Sequence, residues 1–492
     1  MKLKKFLCMA TAISMVVTFS CLVSKDKNNT FIGATAEDSV SYGDFKYTVV
    51  NNEVTISGLN TTLSEVIIPE SINGMPVTKI GRLAFAGDSF ITKVQLPKSL
   101  YRIEAKAFQD CTGITSIEIP DSVYYVEESV FKNCTNLSNV KWSINAKFFS
   151  NFTFYGTKIQ SINIPEGTNY ICSDCFAYTP LKEVVLPSSV HTIGIEAFKG
   201  CSQLKKINLD NVSVIDNGAF NNCISLQSVT LSPKMTKLSN AFINCKSIKQ
   251  LIIPEGVKEI SSLQGCSSLE YIYVPSTVIR IYSFAFASLT NLKAIDLPDQ
   301  INYEVFQDYT FYQCSSLEEF YMPFGISTIP WDMFNLCTSL EYVQLTDDVT
   351  EIGQYAFSNC ESLIAVYIPD SVTKIDKTAF GYAYDETGNQ IKTDQNVIFL
   401  IESYDCYAAQ YASENGFDVI NINDIYNSDK KGDVDLDGVV DNKDVLLLKN
   451  YLLNSTSLKT FELYLADMNN DDQIDIFDLV ELKNTIVSVK IN

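Results

Sequence analysis

Along most of the chain the apolar positions recur in one fixed order. The pattern reads Ile-(Gly)-x-x-Ala-Phe-x-x-Cys-x-x-Leu-x-x-Ile-x-Ile-Pro-x-Ser-Val, with clear copies at Ile103–Val123, Ile193–Leu209 and Ile352–Val372. The phenylalanine recurs at Phe85, Phe108, Phe131, Phe154, Phe176, Phe198, Phe220, Phe242, Phe286, Phe311, Phe334, Phe357 and Phe380, and Leu263 fills the one gap. Fourteen units over 295 residues give a period of about 23. Within a unit, Ile117 and Ile119 stand two apart and share one face of a short strand. Pro120 ends that strand because it cannot donate to a ladder. The Ser122-Val123 segment and the Ala107-Phe108 pair then turn the chain back. One turn of this length cannot bury its apolar face alone, so turns must stack into a quasi-one-dimensional solenoid with a parallel sheet on one side.

The cysteines follow the same period. Nine of them stand three residues after the phenylalanine position: Cys111, Cys134, Cys201, Cys223, Cys245, Cys266, Cys314, Cys337 and Cys360. Neighbours in a stack lie close enough for disulfides. Several units lack the cysteine, however, so no pairing scheme is enforced, and these residues read as small buried apolar groups. Cys172-Ser-Asp-Cys175 reads as core for the same reason, since Cys175 takes the alanine position before Phe176.

A period of about 23 falls within the range of leucine-rich repeats, and the full motif closely resembles the BspA-like leucine-rich repeat family over about residues 44–422. Asp44–Thr48 and Val54–Ile56 look like that family's N-terminal hairpin, and Ile67–Ile80 like its long first unit. Val397–Ile422 looks like its C-terminal cap, a strand, a helix through Ala408–Ala412 and then Asn415-Gly416. Gly416 stands where a helix ends in a left-handed residue. The insert 381–396 reads as a protruding hairpin. The resemblance implies an α/β-type repeat solenoid with a parallel sheet on one face, and a binding or adhesion scaffold rather than an enzyme.

In each unit the residues flanking the inward strand position point outward. The first half of the array carries small or polar residues there. The last units gather Tyr271, Tyr273, Tyr321, Tyr342 and Tyr367, with Asp296 and Glu319 between them. These tyrosines either cover their strand neighbours or form a ligand face for a polysaccharide, protein or cell-surface partner.

The repeat stops near residue 422, and a polar linker over 423–431 leads to a different pattern. Asp433, Asp435, Asp437, Asp441 and Asp444 stand at positions 1, 3, 5, 9 and 12 of a loop, Gly438 makes the turn at position 6, and the Val439 carbonyl serves position 7. These are the requirements of an EF-hand-like calcium loop. The spacing returns in Asp467, Asn469, Asp471, Gln473 (by its carbonyl), Asp475 and Asp478. Asp472 replaces glycine at position 6, where a left-handed conformation costs an Asp roughly 1 kcal/mol, so the second loop is expected to bind calcium more weakly. Val440 and Ile474, each at position 8, are placed to join the loops through a core. A helix is expected after each last ligand, over Asp444–Leu453 and Asp478–Val487.

Two loop-plus-helix halves of this length, about residues 432–492, resemble a type I dockerin. The resemblance implies a small all-α module binding two Ca2+ ions and docking on a cohesin module of a scaffoldin. The positions that govern cohesin choice in that family fall here on Asn442-Lys443 and Ile476-Phe477, with Lys449 and Lys483 as further contacts.

Composition narrows the function. Net charge is −21, with 37 Lys+Arg against 58 Asp+Glu, which disfavours nucleic acid because phosphate binding needs clustered cations. Of the acids, 13 lie within residues 429–492 against 7 basic residues, concentrated in the two loops. The single histidine, His191, leaves little room for Ser-His-Asp or Cys-His catalysis. Lys2, Lys4 and Lys5 precede an apolar run from Phe6 to Phe19, and Ala34-Thr35-Ala36 offers a cleavage site, so residues 1–36 read as a signal peptide. No further run is long enough to span a membrane. The expectation is a secreted, non-catalytic protein held at the cell surface through a scaffoldin. A carbohydrate-active enzyme with paired carboxylates, or an inhibitor of secreted enzymes, are the alternatives.

Overall fold

The computed structural model describes residues 39–301, 306–384, 390–393, 395–423, 431–435, 439–452, 466–468, 473–474 and 476–489. The expected signal peptide lies outside them, as does almost all of the expected linker.

From residue 39 to 423 the chain is a parallel-strand solenoid. The expected sheet is formed by the Ile-x-Ile segments. Ser116–Glu118 pairs in parallel with Asn139–Lys141 in the register Ser116↔Asn139, Ile117↔Val140 and Glu118↔Lys141. The same rung recurs at Gln250–Ile252 with Tyr271–Tyr273 and at Glu319–Tyr321 with Tyr342–Gln344. Opposite charges meet across rungs, as in Lys93–Glu65 at 3.5 Å.

A second parallel ladder lies after the Pro-x-Ser-Val corner. There Arg102↔Tyr125 and Ile103↔Val126 pair, and Thr192–Ile193 pairs with both Tyr170–Ile171 and Val214–Ile215. The corner between the ladders is a turn in which the proline carbonyl accepts from the valine amide three residues on, at 2.9 Å for Pro120 and Val123 and 3.1 Å for Pro369 and Val372. The motif serine stitches turns together: Ser99 Oγ donates to the Val77 carbonyl at 2.8 Å, and Ser371 Oγ to that of Val349 at 2.7 Å. The pattern showed the serine without its purpose.

The Ala-Phe side of each unit is a chain of tight turns. In most units two residues, two before and two after the phenylalanine, have left-handed backbones. Around Phe108 they are Lys106 (φ 62°) and Asp110 (φ 59°), and around Phe357 they are Tyr355 (φ 54°) and Asn359 (φ 55°). Asn and Asp tolerate this conformation best among non-glycine residues.

One continuous hydrophobic core fills the space between ladders and turns. The phenylalanines form a column: Phe176–Phe198, Phe198–Phe220 and Phe220–Phe242 stack at centroid distances of 5.3, 5.4 and 5.3 Å. Offset stacking at this spacing adds about 0.5–1.5 kcal/mol per pair beyond area burial. Leu263 interrupts the column, which resumes from Phe286 to Phe311 at 5.4 Å. The described cysteines are free thiols, and every one that follows the repeat is buried. They are more than small apolar residues. Each of the nine donates from Sγ to the carbonyl of the phenylalanine one unit earlier, as Cys111 does to Phe85 at 2.9 Å and Cys360 to Phe334 at 3.1 Å. Thr179, in the cysteine position of its own unit, donates instead to the Phe176 carbonyl at 2.8 Å.

Burial pushes the thiols of Cys111, Cys266 and Cys337 up from an ordinary 9.0 to about 12. A thiol whose native value is raised contributes its stability below the unfolded value and loses it as the pH climbs toward the native one. The urea midpoint is therefore expected to hold up to about pH 9 and to fall at about pH 10 and above. A midpoint unchanged at high pH would contradict the thiol ladder's burial.

The ends are capped as expected. Phe45–Val50 and Glu53–Leu59 form an antiparallel hairpin, turned by left-handed Asn51 and Asn52. That hairpin joins the second ladder through Met75–Ile80. At the far end come the strand Ile398–Ile401, helix α1 (Tyr407–Asn415) and the strand Asp418–Asn421. Gly416 ends α1 with φ 81°, its amide donating to the Ala412 carbonyl. The insert is a hairpin of Tyr382–Tyr384 with Gln390–Lys392, and its tip lies outside the described residues.

The C-terminal module has its own core of Val434, Leu448, Ala466, Leu479, Leu482 and Ile486. Helices α2 (Asn442–Leu452) and α3 (Ile476–Val489) pack against each other there. Both begin two residues earlier than the loop spacing predicts. For α2 the reason is a cap: Asp441 Oδ1 accepts from the Lys443 amide at 2.6 Å, while the Asp441 amide donates to Asp444 Oδ2 at 2.7 Å. This reciprocal pair draws Asp444 into the first helical turn.

Candidate metal loops and docking surface

In the first loop the chain turns so that one carboxylate oxygen each from Asp433, Asp435 and Asp444 lies within 4.8 Å of the others. Asp433 and Asp444 are buried and Asp435 is half-buried. Asp444 closes the loop by accepting from the Asp435 amide at 3.0 Å as well as from Asp441. Burial raises its carboxyl above the ordinary range, and the backbone donors pull the other way. Three converging carboxylates with no nitrogen or sulfur form a hard-oxygen donor set, which fits Ca2+ and not a thiolate metal. Val439 is exposed with the helix beginning three residues on, and Asp437 lies outside the described residues.

The second loop repeats the arrangement where it is described. Asp467 and Asp478 are both buried. Asp478 Oδ1 accepts from the Met468 amide at 2.9 Å, one position earlier in the loop than the Asp435 amide that Asp444 receives. Gln473 is exposed, and Asn469, Asp471 and Asp475 lie outside the described residues. Lys431, just before the first loop, donates from Nζ to the Asp467 carbonyl at the start of the second. Val440 and Ile474 both pack on the shared core, as their position in each loop predicts. Gly432 has φ +104°, and a Cβ there would meet Leu482 Cδ1 at 2.7 Å and Val440 Cγ1 at 2.9 Å. Only glycine lets the chain enter the first loop so close to the core.

The residues singled out for docking stand on the two helices. Asn442, Lys443 and Lys449 are exposed on α2, and Ile476 and Lys483 on α3. The backbone of Phe477 is in the first turn of α3, and its side chain lies outside those described. Asn442 and Ile476, and Lys449 and Lys483, are each 34 residues apart, so the helices present equivalent positions. The same shift relates Leu446 to Val480, two apolar residues left exposed. Sequence reasoning passed over this pair, although an apolar residue two places after each last ligand was the signal.

The five tyrosines fall on two separate sheets of the first ladder. Tyr271 and Tyr273 lie on the sheet ending at Ala294–Asp296, and Tyr321, Tyr342 and Tyr367 on the one running to Asp418–Asn421. Tyr321 is 45% exposed and the other four are half-buried. Their hydroxyls meet carboxylates: Tyr271 donates to Asp296 at 3.1 Å, Tyr273 to Glu255 at 3.1 Å, Tyr321 to Glu319 at 2.9 Å and Tyr367 to Glu402 at 2.6 Å. Tyr342 meets Tyr321 edge to face at 6.0 Å. His191 is exposed at a turn. Among the described residues no helix is long and apolar enough to cross a membrane.

Comparison with known proteins agrees with both halves. The BspA type leucine rich repeat region matches in six copies, over residues 59–180, 169–264 and 261–385. The dockerin type I domain matches residues 431–487. No curated protein matches the chain. Among solved structures, a leucine-rich repeat protein from Bacteroides ovatus is 27% identical with a TM-score of 0.65, over 78% of this chain and 99% of that one. A leucine rich cell surface protein from Faecalibacterium prausnitzii is 23% identical with a TM-score of 0.46, over 71% of this chain and 93% of that one. The chain belongs to the BspA type leucine-rich repeat family and carries a type I dockerin domain after the repeats.

Proposed function

We propose that this is a secreted, non-catalytic component of a cellulosome-like complex. Its dockerin binds two Ca2+ ions and docks on a scaffoldin cohesin, and its solenoid presents binding surface to a further partner. The observation that carries the docking half is the convergence of Asp433, Asp435 and Asp444 just ahead of α2. The second ion takes Asp467, Asn469, Asp471, Gln473, Asp475 and Asp478, and the first adds Asp437, Val439 and Asp441. The calcium supplies the positive charge that lets buried carboxylates pack together, and so sets the angle between the helices that carry Asn442, Lys443, Lys449, Ile476, Phe477 and Lys483. Leu446 and Val480 add apolar area to that surface, at whose core charged residues are depleted.

The tyrosine-bearing strands are the surface for a protein partner. Tyrosine gives broad amphipathic contact at low entropy cost, and the flanking carboxylates hold the rings in place. Export through residues 1–36 would place both halves outside the cell. The test is a panel of cohesins titrated against the full-length protein. Capture by at least one cohesin in calcium, lost on addition of a chelator, is the expected result. Capture by none, or capture that persists in chelator, would remove the docking half.

A further inference from the structure

The tyrosines of the first ladder are largely held by their own carboxylates. A more open aromatic rank lies on the second ladder, near the N-terminal end. Its inward positions are Ile103, Val126, Phe149, Ile171 and Ile193. Ile103 pairs with Val126 and Phe149 with Ile171, and Ser150 Oγ bridges the intervening step by donating to the Val126 carbonyl at 2.6 Å. The residue before each inward position points away from the core. Successive turns therefore set Tyr125, Phe148 and Tyr170 in one rank, with Tyr101 and Tyr124 in the rank beside it. Tyr124, Tyr125 and Phe148 are 55%, 60% and 57% exposed. Exposed aromatics gathered on consecutive turns form a patch of the kind that marks an interaction site.

We propose that this rank binds an uncharged polysaccharide chain. The inference rests on the reading of the array as a binding surface, and it names a partner for a face which that reading leaves unassigned.

Two features select this occupant. The first is charge. Of the cations beside the rank, Arg102 donates from Nε to Glu127 at 2.9 Å and Lys79 lies 3.7 Å from Glu53, while Lys147 is exposed. The guanidinium of Arg102 also lies 6.0 Å from the Tyr125 ring centroid. One exposed lysine is no cluster, and it stands on a chain with a net charge of −21. An acidic polymer meets repulsion and no free cluster of cations, whereas a neutral one meets no charge to desolvate.

The second feature is shape. The rings repeat at the strand spacing, about 4.8 Å per rung, along a narrow line. A typical protein partner needs a broad patch of about 800 Å², while a linear polymer laid across the rungs touches each ring in turn. A sugar ring offers an apolar C–H face and a hydroxyl edge. The aromatic faces take the first, and the exposed Lys147 and Asn169 beside the rank can donate to the second.

The experiment is affinity electrophoresis of the full-length protein in native gels containing xylan, mixed-linkage glucan, galactomannan or polygalacturonate. At least one of the three neutral polymers should retard the wild-type chain, and polygalacturonate should not. Tyr124→Thr, Tyr125→Thr and Phe148→Thr together should weaken that retardation at least about tenfold. Phe148→Thr alone should weaken it severalfold and serves if the triple variant misfolds. Ile252→Thr, exposed on the first ladder, should leave it unchanged. Retardation by none of the neutral polymers, stronger retardation by polygalacturonate, or equal retardation of the rank variants overturns the proposal. Cohesin capture of the same samples is a separate readout. If capture fails while retardation behaves as described, the docking half falls and the glycan rank stands.

Discussion

Replacing Phe220 with alanine is expected to cost about 3–5 kcal/mol and to split the unfolding of the array in two. Phe220 is fully buried, between Phe198 at 5.4 Å and Phe242 at 5.3 Å with the rings almost parallel. Its carbonyl also receives the Cys245 thiol at 3.2 Å. Truncation removes two stacking contacts and leaves a cavity that a close-packed column cannot collapse to fill. In a solenoid each turn couples only to its neighbours, so a weak rung loosens the connection between the segments on either side. The gap at Leu263 already marks a natural weak rung nearby. Calorimetry should show the wild-type transition replaced by two, the lower displaced by roughly 10 °C. Phe85→Ala, near the capped end, should lower stability without splitting the transition. A single transition at the wild-type temperature for Phe220→Ala would show that the column does not carry the coupling.

The period, the phenylalanine column and both caps were legible in the sequence because each depends on an invariant local need. A buried ring must recur once per turn, a proline must end the strand, and Gly416 must end α1. The second ladder was not legible. Its strands are only two residues long, as in Tyr125–Val126, and a single inward residue per strand leaves no alternation to detect. The left-handed positions were hidden for a different reason. Leu336, Tyr355 and Phe284 all occupy them, residues that give no turn signal, because stacking on the neighbouring turn enforces the backbone whatever the side chain. The thiol-to-carbonyl bonds were invisible because they join residues about 25 apart in sequence, Cys223 to Phe198 for one.

At the candidate metal loops the acidic spacing was readable because such a loop dictates it locally, and Asp433, Asp435 and Asp444 do converge. The helix starts were displaced because the capping contact between Asp441 and Asp444 is a property of the folded loop. The aromatic rank on the second ladder could be assembled only once that ladder was known, for Tyr125, Phe148 and Tyr170 lie 23 and 22 residues apart and meet through the stacking of turns.

Chelating calcium from the full-length protein is expected to unfold residues 431–489 while leaving residues 39–423 intact. The two regions have separate cores. Among the described residues that of the smaller one holds six buried apolar side chains, and a module of about 60 residues is marginal unaided. Against it stand four buried carboxylates, on Asp433, Asp444, Asp467 and Asp478. Without a cation they repel one another and lack their hydration, and a cluster of that kind is strongly unfavourable. With calcium at 100 times the dissociation constant, each site adds about 2.7 kcal/mol, so two sites add about 5 kcal/mol, comparable to the whole stability of a small domain. Hydrogen exchange read by mass spectrometry should show α2 and α3 losing protection in chelator, with the strands from Phe45 to Ile401 unchanged. Asp444→Ala should mimic chelation at the first loop, because it removes a ligand and the carboxylate that receives the Asp435 and Asp441 amides. Protection of both helices that survives chelation would mean that the core alone holds the module, and that calcium, if bound there, serves only to complete the docking surface.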